Sequence, residues 1–224
     1  MSRKPGEVLR RALAAVAGVL VVLAAVAVLA RPAGAGERES DPLADTATKT
    51  LTDMRGVRVA QVAAALAGGA VNPAGAIAAY EADLGQLAAI VAERTATPAE
   101  AFVQAWTNAG AVRMTAMLSA LSQAGVPYRS RASEPGGGFD CSGLTMYAWG
   151  QAGVALPHQD RSQMNVSSAR TWQTALPADL VQYPGHVMMY LGAGEVIVHA
   201  PNTGTVVRVQ DLGGRSVRLA SPIG

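Results

Sequence analysis

The pattern of this chain changes character at Pro127, and that change limits the folds open to it. Before Pro127, apolar residues recur at helical spacing within Ala-rich segments. After it, short apolar runs alternate with turns rich in glycine and proline. The helical stretches read as 57–66, stopped by Gly68-Gly69, then a segment to about 92 that opens at Asn72-Pro73, then 98–108 and 111–123. Thr97, Pro98 and Glu100 have the spacing of a capping box. A further helix is expected over 142–152. The strand candidates are Leu180–Tyr183, His186–Leu191, Val196–His199, Val206–Val209 and Val217–Leu219, close enough for an antiparallel meander. Helices followed by strands, rather than alternating with them, predict an α+β fold.

The N-terminus sets the compartment. Residues 12–30 form a run of 19 residues without a charge, preceded by Arg10-Arg11 and followed by the small-residue site Ala33-Gly34-Ala35. That is the layout of an export signal, and the run is also long enough to span a bilayer if it is retained. Residues 1–35 are therefore a signal peptide or membrane anchor, and the rest works outside the cytoplasm. Residues 36–56 are polar and read as a flexible tether, 57–110 as a helical N-terminal region, and 111–224 as the chemistry-bearing domain. Residues 36–224 hold 13 basic and 15 acidic side chains, a net of −2 despite +2 for the whole chain. That balance excludes the broad positive field of a nucleic-acid binder. One cysteine and three scattered histidines lack the spacing of a metal site, and no cofactor motif is present.

Cys141 is the single cysteine, so an internal disulfide is excluded. A buried small side chain, a bridge to another chain and a nucleophile remain. At the start of a helix its sulfur would meet free amides and the positive end of the dipole, which favour the thiolate. His186, at the start of a strand, can act as base. His199 ends the next strand candidate and can orient His186 if the two strands pair. Tyr128 lies just before the glycine loop, within reach of a reacting carbonyl. Asp140 can cap the helix or accept from a substrate amine. His158 is a substrate-side candidate, and Trp149 and Trp172 read as core or groove wall.

Five segments in order resemble one family: Gly125-Val126-Pro127-Tyr128, Asp140-Cys141-Ser142-Gly143-Leu144, Pro177-Ala178-Asp179-Leu180-Val181, His186 through Gly192, and His199-Ala200-Pro201. Over residues 112–212 the chain is similar to the NlpC/P60 family of bacterial cell-wall cysteine peptidases. The resemblance implies a reduced papain-like fold. It also implies hydrolysis of peptidoglycan stem peptides, commonly at the link from D-glutamate to a diamino acid. Carried over, Cys141 is the nucleophile, His186 the base and His199 the orienting residue, with Tyr128, Asp140 and Ser142 on the substrate side.

Three departures stand out. Arg129-Ser130-Arg131 replaces a Trp-Gly-Gly type sequence, and Ala178 replaces a glycine. The spacing from His186 is one residue long, which puts Val198 where the third residue would otherwise fall, unless a bulge or longer turn restores His199. Two other readings stay open at this point: amidase or acyl-transfer chemistry on another envelope substrate, and a non-catalytic wall-binding protein. For the helices before residue 111, the roles open are spacer, packing partner and lid over the groove.

Overall fold

The computed structural model describes residues 40–68 and 72–224. The signal or anchor segment, the Ala33-Gly34-Ala35 site, the start of the polar tether and the breaker at Gly69 lie outside them. Among the described residues, no helix is long and apolar enough to cross a membrane.

Helix α1 spans Pro42–Leu66. It begins well before the expected start, so most of the expected tether is helix instead. Asp41 caps it by accepting from the Leu43 amide at 2.9 Å, Pro42 takes the first turn, and Arg94 pairs with the same carboxylate at 2.6 Å. Leu43, Ala44, Ala47, Leu51 and Met54 are buried along one stripe, a period masked in the sequence by intervening Thr and Asp residues. Beyond Met54 no residue of α1 is buried, and Val59, Val62 and Leu66 are exposed.

Helix α2 spans Ala74–Thr95, and the Asn72 side chain accepts from the Ala74 amide at 2.9 Å. Helix α3 spans Ala99–Thr107 and α4 spans Ala111–Leu121. The capping box expected at α3 does not form, since no side chain caps that helix. Thr97 instead faces the chain at Gly194.

A two-residue hairpin, β1 (Ser133–Glu134) and β2 (Gly138–Phe139), leads into α5, Cys141–Gln151. The polar stretch that follows contains a short helix, α6 (Asp160–Asn165), and a strand, β3 (Ser168–Arg170), neither of which has an apolar period. The remaining strands are β4 (Leu180–Tyr183), β5 (His186–Tyr190), β6 (Val196–His199), β7 (Arg208–Asp211) and β8 (Arg218–Ser221). The sheet order is β3-β8-β4-β5-β6-β7, antiparallel throughout. Only β4 to β7 form the expected meander. The last strand returns to pair between β3 and β4.

This is the expected α+β arrangement, with Ala-rich helices ahead of a cysteine-bearing helix packed on an antiparallel sheet in a reduced papain-like fold. One sheet face carries Val187, Met189, Val196 and Val198 into a core shared with Leu43, Leu87, Phe102, Trp106, Met117 and Leu144. The other carries Val181, Met188, Tyr190, Ile197 and Leu219 in a smaller cluster that Trp172 and Tyr183 cover. Trp149 is fully buried, and its indole N–H donates to the Ala178 carbonyl at 3.2 Å.

The helices before residue 111 are packing partners in that core. Trp106 is buried and its indole N–H donates to the Leu191 carbonyl at 2.6 Å, fixing α3 to the turn between β5 and β6. Gly192 (φ +97°) permits the approach, because a Cβ there would lie 2.9 Å from the Ala105 methyl and 2.6 Å from Pro177. His186 and His199 sit at the other end of this hairpin, roughly 15 Å away along five residues of strand. The α3 contact is therefore remote from the histidines.

Candidate active site

Cys141 is the first residue of α5, and local hydrogen bonding holds it there. Asp140, with extended backbone, caps the helix: its Oδ1 accepts from the Gly143 amide at 2.7 Å and the Ser142 hydroxyl at 3.1 Å. The same oxygen lies 3.0 Å from His158 Nε2, and Oδ2 accepts from the Arg131 amide at 2.8 Å. The carboxylate thus serves four groups of the protein itself. Ser142 is buried, with its hydroxyl turned to Asp140. Position 143 must be glycine, because a Cβ there would fall 2.0 Å from the Ala132 carbonyl oxygen. His158 is exposed, and it supports Asp140 from the side.

The Cys141 sulfur is half-buried beside the start of β5, near enough to the Val187 and Ser142 backbone amides for them to act on it electrostatically. Those amides favour the thiolate, as the helix start suggests. Burial outweighs them, reinforced by the charges of Asp140 and Asp160, and the thiol is pushed above its ordinary range. The expected stabilised thiolate is thus corrected to a resting thiol. Tyr128 lies close enough for Cys141 and Asp140 to act on its phenol, which burial also pushes up.

The two strand histidines meet. His186 Nε2 lies 2.9 Å from His199 Nδ1, with the rings edge to face, and both side chains are buried. Met189 pairs with Val198 and Tyr190 with Ile197, so alternation turns Val198 into the helix-covered core and His199 onto the His186 face. The extra residue is taken up in the turn, where the Leu191 amide bonds to the Val196 carbonyl at 2.9 Å, and no bulge is needed. Burial lowers His186 to about 4, helped by the Arg215 charge and opposed by Asp160. Burial lowers His199 to about 3, with His186 and Arg208 adding to the effect and Gln210 opposing it. His199 Nε2 is buried without a hydrogen-bond partner among the described residues. At neutral pH the site therefore rests as a thiol beside two uncharged imidazoles.

Cys141, Tyr128 and Asp140 thus gather at the start of α5, close to Val187, the residue that follows His186 on β5. Several contributors were invisible beforehand. Gln163 is buried and donates to the Ser142 and Pro157 carbonyls at 2.8 and 2.9 Å, tying α6 to α5. Asp160 acts electrostatically on both Cys141 and His186. Tyr183 lies against the His186 ring at 5.1 Å between centroids. No short motif marks any of the three.

Residues 125–218, which contain all of these groups, match the NlpC/P60 family. That segment, under half of the chain, is similar to the family over its whole matched length. Among curated proteins, a probable endopeptidase of Mycobacterium tuberculosis is 37% identical over 115 residues, covering 50% of this chain and 29% of that one. Peptidoglycan endopeptidase RipA of the same organism is 35% identical over 105 residues, 40% of this chain and 22% of its own. A gamma-DL-glutamyl hydrolase of Bacillus subtilis is 38% identical over 81 residues, 33% and 20% of the two chains. This chain thus spans less than a third of the length of each of these relatives. Among solved structures, RipD of M. tuberculosis, described as a non-catalytic NlpC/p60 domain protein adapted to peptidoglycan binding, is 27% identical with a TM-score of 0.43, covering 50% of this chain and 97% of that one.

Proposed function

We propose that this protein is a cysteine endopeptidase that cuts peptidoglycan stem peptides outside the cytoplasm, at the bond from D-glutamate to a diamino acid. The observation that carries this reading is the His186–His199 contact at the start of the strand whose next residue, Val187, acts electrostatically on Cys141. Relatives described as endopeptidases support it. The uncharged run at residues 12–30 supports the compartment, either as a cleaved signal or as a tether.

In this reading His186 is neutral above about pH 4 and free to accept a proton. Its Nε2–H donates to His199 Nδ1, which leaves the other ring nitrogen to take the thiol proton as sulfur attacks the carbonyl carbon. The helix-start amide and the Tyr128 hydroxyl stabilise the oxyanion. The C–N bond then breaks, the imidazolium protonates the departing amine, and a thioester remains. Water, deprotonated by His186, hydrolyses that thioester and restores the thiol. Ser142 acts through Asp140, holding the helix start in register.

A wall-binding protein without turnover is the second reading, and the raised thiol favours it. The test is incubation of the purified protein and its Cys141→Ala variant with purified sacculi, followed by mass analysis of released peptides. The expected result is release, by the wild type alone, of peptides that begin with the diamino acid, with D-glutamate left at the free end of the glycan-bound stems. Sacculus binding with no released peptide would favour the second reading.

A further inference from the structure

A cavity of about 330 Å³ lies between α6 and the ends of β4 and β8, lined by Arg161, Asn165, Gln182, Tyr183 and Arg218 among others. Tyr183 joins it to the site described above. Its ring lies 5.1 Å from that of His186, and the Arg215 guanidinium stands 4.7 Å from its centroid. Three cations therefore converge one side chain away from the base.

None of the three has a carboxylate within ion-pair distance among the described residues, whereas Arg94 and Arg113 do. The nearby Asp160 carboxylate is occupied by the carboxamides of Gln159 and Gln182, at 2.7 and 2.9 Å. It offsets one positive charge and leaves the cluster positive. Residues 36–224 are net negative, so this local excess is not a consequence of composition.

We infer that Arg161, Arg215 and Arg218 form a subsite that grips a carboxylate of the peptide whose scissile bond lies at Cys141. The inference rests on the proposed peptidase function and adds the chemistry its substrate must carry. A guanidinium offers paired donors that match a carboxylate, and Asn165 adds a neutral donor at the cavity wall. Arg215 also bears on the chemistry, because its charge helps to hold down the proton affinity of His186. A carboxylate seated on Arg215 cancels that effect and makes His186 a better base while substrate is bound.

The test compares a synthetic stem tripeptide with free side carboxylates and its fully amidated counterpart. Two readouts are used: kcat and KM for the full-length protein, and calorimetric binding to the Cys141→Ala variant. The free acid is expected to bind roughly ten- to hundredfold more tightly. In Arg161→Gln/Arg218→Gln that preference should collapse through KM. Arg58→Gln, on exposed α1, should leave it intact. Equal handling of the two peptides by the wild type would overturn the subsite and leave the peptidase standing. Tighter, arginine-dependent binding of the free acid without turnover would keep the subsite and remove the peptidase. Displacement of the free acid by millimolar inorganic phosphate, with phosphate held more tightly, would reassign the cavity to phosphoryl groups and overturn the carboxylate assignment.

Discussion

The β4–β5 hairpin has a buried polar cluster at each end, and the two are built on opposite principles. At the end where β4 begins, Arg113 of α4 pairs with Asp179 at 2.6 Å and donates to the Pro177 carbonyl at 3.1 Å and the Ser221 hydroxyl at 2.7 Å. Asp179 also accepts from the Leu176 amide at 2.8 Å. Both members of the pair are buried, and each is held by several partners. At the end where β5 begins, His186 and His199 are just as buried, but they are uncharged, and one ring nitrogen has no partner. Apart from Arg170 Nε, which lies 4.0 Å from Asp179 without a hydrogen-bond partner, the first cluster is saturated, and it ties α4, β4 and β8 together. The second is left with proton capacity to spare, which a base requires and a structural anchor does not.

Three measurements can break or sharpen this contrast. The largest effect is expected on turnover: His186→Ala should lower kcat/KM roughly 10²–10⁴-fold while leaving the unfolding midpoint in denaturant unchanged or higher. A loss of several kcal/mol of stability would mean that the histidine end is also an anchor. Asp179→Ala should do the reverse. It strands the Arg113 charge in the interior and should cost about 3–5 kcal/mol in equilibrium unfolding. Stability within 1 kcal/mol of wild type would show that the saturated cluster is dispensable.

The third measurement is an acid titration of stability. Both histidines titrate lower in the fold than their ordinary 6.5, so below that pH the unfolded chain takes up protons first. No penalty exists above about pH 6.5, and stability is lost progressively as pH falls toward 4. His186 alone should account for on the order of 3 kcal/mol at pH 4. Denaturation curves from pH 7 to pH 4 should show that slope, and His186→Ala should flatten it. An equal slope in the variant would place the acid sensitivity elsewhere.

Much of the candidate site was legible because cysteine and histidine are rare in this chain and fall in ordered motifs. Cys141, His186 and His199 stood out by type alone, and strand alternation placed His199 rather than Val198 against His186. The supporting groups were illegible for the opposite reason. Gln163, Asp160 and the Arg113–Asp179 pair act through partners distant in sequence, and polar residues in loops or on helices have no periodic signature. The early start of α1 was hidden because its buried stripe includes small and polar residues, Ala44, Ala47 and Thr50. The resting thiol was missed because sequence indicates where a helix begins and not how deeply its first residue is buried. The return of β8 between β3 and β4 is likewise decided by packing among distant segments.

The solitary cysteine has a practical corollary. With a single sulfur nucleophile in the entire polypeptide, any thiol-directed reagent reports on one address. A fluorogenic maleimide would follow exposure of that thiol, slowly while it is buried and fast in unfolded molecules, with no engineered tag. Competition between that label and a bound peptide would report occupancy at Cys141 itself.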